Sequence, residues 1–247
     1  MREAVLVTGA GRRIGRALAL TLGGDGYAVA VHYHRSRDEA ESVAREIIAN
    51  GGTASTVRAD LTREGDTSSL VARAAEAVGP LTALVNNASA FEYDTPATAT
   101  REGWDLHVET NLRAPFVLAQ HFARQLPEGA DGCVLNVIDQ CVWNLTAHYT
   151  TYTVSKAGLW TLTRTLALAL APRVRVNAVG PGPTLPNARQ TPEEFAALCE
   201  SLPLGRGPTP EDVCDAARYL LRARAVTGQM IAVDGGQHLG RADDRFA

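Results

Sequence analysis

The sequence predicts a single α/β domain, a Rossmann-like doubly wound fold with a seven-stranded parallel sheet flanked by helices. Three observations predict it. Short β-branched runs alternate with longer helical patterns along the whole chain. Most strand runs are apolar throughout, as strands covered on both faces must be. The first strand feeds a glycine-rich turn that opens a helix. A chain of 247 residues with 45% hydrophobic content buries one large core without needing a second domain.

The elements follow in order. Ala4–Thr8 is an apolar strand, and Ile14–Leu22 repeats aliphatic residues every four positions as a buried helix face does. Ala28–His32 is the second strand. Asp38–Asn50 opens on acids and stops at Gly51-Gly52, as a helix should. Ala54–Ala59 precedes a helix at Ser68–Val78, which ends at Gly79-Pro80. Leu81–Asn86 and Gly132–Val137 are strands on either side of one long helix, Arg101–Gln125. Thr153–Leu170 is a helix, Val174–Val179 a strand, Pro210–Leu221 the last helix and Met230–Val233 the last strand. Residues 180–209 are rich in Pro and Gly and break the alternation. They read as a substrate-binding flap holding a short helix at Pro192–Ser201. Residues 241–247 read as a polar tail.

Composition removes several function classes. Net charge is −3 with 21% charged residues, so no basic surplus points to nucleic acid. No apolar stretch is long enough to span a bilayer and no signal-peptide pattern is present, so a cytoplasmic location is expected. The four cysteines lack C-x-x-C spacing and are expected to be reduced thiols. No His/Cys/carboxylate cluster has metal-ligand spacing, so no metal is expected.

The chemistry lies in three places. Thr8-Gly9-Ala10-Gly11-Arg12-Arg13-Ile14-Gly15 joins strand to helix, where glycines permit a tight turn and helix-terminal N–H groups can hold a pyrophosphate. Arg13 stands where the commoner pattern has its central glycine, which puts a guanidinium near the diphosphate and a substrate. The second strand ends in His32-Tyr33-His34-Arg35-Ser36. No carboxylate occurs there until Asp38, so imidazole, guanidinium and hydroxyl groups favour a 2′-phosphate, and NADP(H) over NAD(H). Tyr152 and Lys156 are four apart on one helix face. A nearby ammonium is expected to lower the Tyr152 pKa and make it a proton donor or acceptor.

These motifs together resemble the short-chain dehydrogenase/reductase family from end to end. Thr8-Gly9 with Gly15 resembles its cofactor turn, Asp60-Leu61 its adenine-contacting pair, and Asn86-Asn87-Ala88 its fourth-strand motif. Asn111 resembles the helix asparagine that props the active-site lysine through water. Tyr152-x-x-x-Lys156 matches the catalytic pair, Pro181-Gly182 the nicotinamide-contacting turn, and Val233-Asp234-Gly235-Gly236 the last strand. Within the family the chain is most similar to the pteridine reductases. The resemblance rests on Arg13, the His-Tyr-His-Arg-Ser run, Ser89-Ala90-Phe91, Tyr149, and Asp139 in place of serine. It implies NADP(H) held by Gly9, Arg12, Arg13, Ile14, the 32–36 run, Asp60, Leu61, Asn87, Ala88, Ser89, Tyr152, Lys156, Pro181 and Gly182. It implies a pterin-like small molecule stacked on Phe91 and bonded by Ser89, Arg13 and Tyr149. It implies catalysis by Asp139, Tyr152, Lys156 and Asn111, and a homotetramer with Trp104 and Trp160 as anchors.

Asp139 carries the substrate expectation. A serine there donates to a carbonyl oxygen and stabilises the developing oxyanion, whereas an ionised aspartate repels it. Reduction of C=N leaves negative charge on nitrogen, which needs a proton, and an acid beside Tyr152 can sustain its delivery. The expected reaction is dihydropterin, with dihydrofolate as a second substrate, to the tetrahydro form. The alternatives are a carbonyl or 3-oxoacyl reductase that carries an aspartate, and an NADP(H)-binding sensor of low turnover. Asp139 could also merely cap a local turn.

Overall fold

The computed structural model describes residues 3–187 and 189–240. The expected polar tail at 241–247 lies outside the described residues. Seven parallel strands form one sheet: β1 (Ala4–Val7), β2 (Ala28–Tyr33), β3 (Thr53–Arg58), β4 (Ala83–Asn86), β5 (Gly132–Val137), β6 (Val174–Pro181) and β7 (Met230–Val233). Their order is β3-β2-β1-β4-β5-β6-β7, so the chain reverses its direction of growth between β1 and β4. In such sheets the ligand crevice lies beyond the strand C-termini at that switch point.

Period-two alternation splits the strands' side chains between two cores. Val5 and Val7 of β1 face a layer made by α1 (Arg13–Gly24), α2 (Arg37–Ala49) and α8 (Pro210–Arg222), where Leu18, Val43 and Leu220 are buried. Ala4 and Leu6 face the opposite layer of α3 (Glu64–Val78), α5 (Ala114–Gln125) and α6 (Thr150–Ala169), where Leu70, Phe122 and Leu166 are buried. Both sheet faces are therefore dry, which is why the strands lack polar alternation. Thr209 begins α8 as the N-cap of a capping box with Asp212.

The helix expected over Arg101–Gln125 spans those residues, as α4 (Arg101–Val108), one π turn (Glu109–Arg113) and α5. The cause of the π turn is Pro115, which has no N–H to give the carbonyl four residues back, at Asn111. The Ala114 N–H bonds Glu109 O instead, one residue further than an α-helix would. The flap holds α7 (Pro192–Glu200), capped by Thr191 and Glu194.

Candidate active site

A cleft of about 1380 Å³ runs along the C-terminal edge of the sheet, from Gly9 to Gly182 and out under the flap residues Phe195 and Leu198. Its floor is the β1–α1 turn. Gly9 has φ +62, a conformation L side chains rarely adopt. A Cβ on Gly15 would lie 2.2 Å from Gly9 O and 2.4 Å from the Asn87 amide nitrogen. The turn therefore closes only with hydrogen at that position, and it leaves a side-chain-free cradle at the start of α1 that suits a diphosphate. Asn87 donates to Thr8 O at 2.8 Å, and the buried Thr8 hydroxyl accepts the N–H groups of Asn87 (2.9 Å) and Ala88 (3.0 Å).

His32, expected as a cofactor contact, lines the cleft and braces this turn. Gly9 N–H donates to its Nδ1 at 3.0 Å, and its Nε2 lies 3.2 Å from Ala59 O. One nitrogen must accept and the other must donate, so the ring is neutral with its proton on Nε2. Burial pushes its pKa down to about 4. The next residues stay available to a ligand. Tyr33, His34, Arg35 and Ser36 line the cleft, with Asp60 and Leu61. His34 lies 3.5 Å from Asp60, whose other oxygen accepts from Thr62. Pro181 ends β6, and Gly182 donates to Val233 O at 2.9 Å.

Arg12 pairs with Glu39 on the surface. Arg13 has φ 53, a left-handed geometry for a bulky L residue. That costs roughly 1–2 kcal/mol relative to glycine. Its guanidinium does not point along the turn. It donates to Pro186 O at 2.7 Å and Leu185 O at 3.1 Å, tying the flap to the phosphate turn. Ile14 packs against the apolar core from the same helix start.

The groups expected to react meet at the end of β5. Asp139 Oδ2 accepts from the Tyr152 hydroxyl at 2.8 Å. Its Oδ1 accepts from Cys141 N–H at 2.8 Å and caps the one-turn helix at Gln140–Val142. Asp139 thus caps a local turn with one oxygen and holds the Tyr152 hydroxyl with the other. Lys156 is buried and donates to Val137 O at 2.9 Å, with its ammonium 5.7 Å from the Tyr152 ring centre. The expected lowering of the Tyr152 pKa is corrected. Burial, followed by the charge of Asp139, raises it well above the ordinary value. Burial pushes Lys156 down to about 8. Tyr152 is therefore held as a neutral phenol, which can give a proton.

Around these groups lies an aromatic wall. Phe91 stacks on Tyr149 with ring centres 4.6 Å apart, and meets the Tyr152 ring edge-on at 4.7 Å. Ser89 and Asn111, expected to meet ligand and lysine, bond each other at 3.2 Å. Asn111 also exchanges hydrogen bonds with both backbone groups of Ala90 (2.8 and 3.0 Å) and donates to Ser155 at 3.0 Å. Its side chain is a brace between the Phe91 loop and α6, and does not reach Lys156. His148 bonds the Tyr93 hydroxyl at 3.1 Å, while Trp143 packs edge-on against Trp160.

Sequence reasoning missed a buried cluster behind this wall. Thr151 donates to Asp94 and lies 2.7 Å from His107 Nδ1, and His107 Nε2 accepts Glu92 N–H at 3.0 Å. The three residues lie in three separate segments, so no spacing links them. The available signal was His107 itself, a lone imidazole in an otherwise amphipathic helix. Among the described residues there is no cluster able to hold a metal ion, and no helix is long and apolar enough to cross a membrane.

A parallel sheet with a glycine cradle at its switch point, and a buried Tyr–Lys pair beside it, defines a nucleotide-dependent oxidoreductase. The chain belongs to the short-chain dehydrogenase/reductase family. The family described as Enoyl-(Acyl carrier protein) reductase matches residues 9–238. The 3-oxoacyl-[acyl-carrier-protein] reductase FabG of Staphylococcus epidermidis is 32% identical over 97% of this chain and 100% of its own. FolM alternative dihydrofolate reductase 1 from Brucella suis, solved in complex with NADP, is 49% identical. It superposes with TM-score 0.93 over 96% of this chain and 95% of that one. The angucycline C-6 ketoreductase LanV, with bound NADP, is 34% identical with TM-score 0.89, covering 96% of each chain.

Proposed function

We propose that this protein is an NADPH-dependent reductase of a pterin C=N bond, taking a dihydropterin to the tetrahydropterin. The observation that carries the reading is the hydrogen bond from Tyr152 to Asp139 at 2.8 Å. An acceptor at that position is unfit to steady an oxyanion but fit to hold a phenol beside a basic nitrogen. The 49% identity to a FolM alternative dihydrofolate reductase supports it.

The residues fit the cofactor. The Gly9–Gly15 cradle would receive the diphosphate, and His34, Arg35 and Ser36 the 2′-phosphate. Asp60 and Leu61 would meet the adenine, and Pro181-Gly182 the nicotinamide. NADPH supplies the hydride when bound. Lys156, anchored on Val137 O, would orient the ribose, and Asn111 braces the Phe91 loop against α6 beside it. Tyr152 would turn its hydroxyl proton from Asp139 to the substrate nitrogen as hydride reaches the adjacent carbon, and would recover one from solvent through the cleft. Asp139 orients the Tyr152 hydroxyl. Phe91, with one face covered by Tyr149, presents the other to the pterin ring, and Ser89 and Arg13 border the same space.

A second reading, reduction of a 3-oxoacyl or polyketide carbonyl, is favoured by the 32% identity to FabG and the 34% identity to LanV. One experiment separates them. NADPH oxidation is followed with dihydrobiopterin, dihydromonapterin, dihydrofolate and a β-keto ester side by side. Turnover of the pterins with little of the ester is expected. Turnover of the ester alone refutes the pterin reading, and NADPH binding without oxidation by any of the four supports the sensor. The family resemblance adds a cytoplasmic homotetramer. The Trp104 side chain, 41% exposed on α4, is a proposed contact, with Trp160, and sedimentation of Trp104→Ser tests it.

A further inference from the structure

Tyr149 is the other non-glycine residue with positive φ among the described residues, at 59, and it precedes α6 immediately. A side chain that packs against Phe91 and borders the cleft is thus carried on a backbone that tyrosine rarely adopts. Something must hold it there. The Tyr149 N–H donates to Asp94 O at 2.8 Å. Two residues on, the Thr151 N–H lies 3.2 Å from Asp94 Oδ1, and the Thr151 hydroxyl donates to Asp94 Oδ2. His107 closes the cluster. Its Nε2 accepts Glu92 N–H, so its proton is on Nδ1 and is given to Thr151 Oγ1 at 2.7 Å. His107, Thr151 and Asp94 are all buried, His107 and Thr151 almost completely. The relay runs one way: His107 to Thr151 to Asp94. Every hydroxyl and ring nitrogen in it is satisfied.

The cluster joins three segments, beside the Asn111 brace and the Tyr93–His148 bond that link the same loop to the Tyr149 region. Glu92 and Asp94 follow Phe91, Thr151 follows Tyr149, and His107 ends α4. It lies behind the aromatic wall, and the His107 ring meets the Tyr152 ring edge-on at 6.0 Å. We propose that His107, Thr151 and Asp94 are positioning residues that hold Tyr149 in its left-handed geometry against Phe91, and so set the shape of the site that receives the flat ring of the substrate. They do not touch the reacting atoms. This rests on the reading that the Phe91–Tyr149 wall meets the substrate. Its consequence is specific: disturbing the cluster should weaken substrate binding while leaving the Tyr152 proton and the cofactor cradle in place.

Thr151→Val removes the hydroxyl at constant shape and breaks both side-chain bonds, and Thr151→Ser restores them. The measurement is steady-state kinetics with whichever of dihydrobiopterin or β-keto ester the unaltered protein reduces better, together with NADPH titration by fluorescence. Choosing the substrate this way separates failure of the pterin reading, seen in the unaltered protein, from failure of the positioning proposal, seen only in the variants. The expected result for Thr151→Val is a KM for substrate raised by about tenfold or more, with kcat and NADPH Kd within about threefold. Thr151→Ser should return KM to within about threefold of the starting value. An unchanged KM in Thr151→Val overturns the proposal, as does a loss shared equally by KM, kcat and NADPH Kd, or a serine variant no better than valine. Should Thr151→Val fail to fold, Asp94→Asn, which keeps one acceptor and the side-chain volume, must show the same selective rise in KM or the proposal falls.

Discussion

His32 offers the sharpest test of how the phosphate turn is held. The ring is buried and neutral, fixed between Gly9 N–H and Ala59 O. Its pKa is pushed down to about 4 from 6.5. In the unfolded chain the same histidine takes a proton near its ordinary value, so between those limits the unfolded state binds more protons than the native state. Stability is therefore full above pH 6.5 and is lost as pH falls towards 4. Each unit of difference is worth about 1.36 kcal/mol. Between pH 7 and pH 4.5 the His32 contribution is then roughly 2.5 kcal/mol. Protonated Nδ1 would also confront the Gly9 N–H donor to donor, which opens the turn that receives the diphosphate. Urea unfolding of the unaltered protein and of His32→Asn at both pH values isolates the effect, because the other histidines are common to both. The variant should be less stable at pH 7 and should lose roughly 2.5 kcal/mol less on acidification. Parallel pH profiles for the two proteins would refute the assignment of a buried neutral ring.

Three further changes probe the site. Gly15→Ala places a Cβ 2.2 Å from Gly9 O, so the turn must open by about 1 Å. NADPH Kd should rise roughly 100-fold, as fluorescence titration would read, for a displacement of that size. Tyr152→Phe removes the only hydroxyl bonded to Asp139 among the described residues. Its kcat should fall by about 10²–10⁴ with NADPH Kd within about threefold, and retained turnover would remove Tyr152 from the mechanism. Asp139→Ser keeps a hydrogen-bonding group at the end of β5 but replaces the carboxylate. Pterin turnover should fall and keto-ester turnover rise, so equal or better pterin turnover would make the acid incidental.

The fold was legible because both sheet faces are buried. A strand dry on both sides has no polar alternation, and apolar runs such as Ala28–His32 and Val174–Val179 stand out at once. The π turn at Glu109–Arg113 was hidden. Its cause, Pro115, acts on a carbonyl four residues back, and the helical periodicity continues across it. At the site, residues that act through local spacing were readable: Tyr152 with Lys156, and Gly9 with Gly15. Residues that act across the fold were read only in part. His32 lies in the expected strand end, but its partners Gly9 and Ala59 decide that it braces the turn. Asp94, His107 and Thr151 meet only after β4, α4 and α6 are assembled. The Tyr152 pKa also depends on contacts across the fold. Spacing brings Lys156 near its ring, but β5 brings Asp139 onto its hydroxyl, and burial outweighs both.

Departures from local preference gather at the cleft. Most of the chain obeys its propensities, with threonine caps at α7 and α8 and glycine in nearly every left-handed turn. Arg13 and Tyr149 are the non-glycine exceptions among the described residues, and both line the same cleft. A glycine at either position would relieve strain of roughly 1–2 kcal/mol. Each side chain therefore does something a bare backbone could not. Arg13 reaches two flap carbonyls, and Tyr149 forms half of the aromatic wall. Strain kept at two points of one cleft, each held by hydrogen bonds from a different element, marks that cleft as the part of the molecule shaped for function more than for stability. Asp139 fits the same account. One oxygen caps the turn that follows β5 and the other holds the Tyr152 hydroxyl, so the residue that would select the substrate is also locked by the fold in the orientation selection requires.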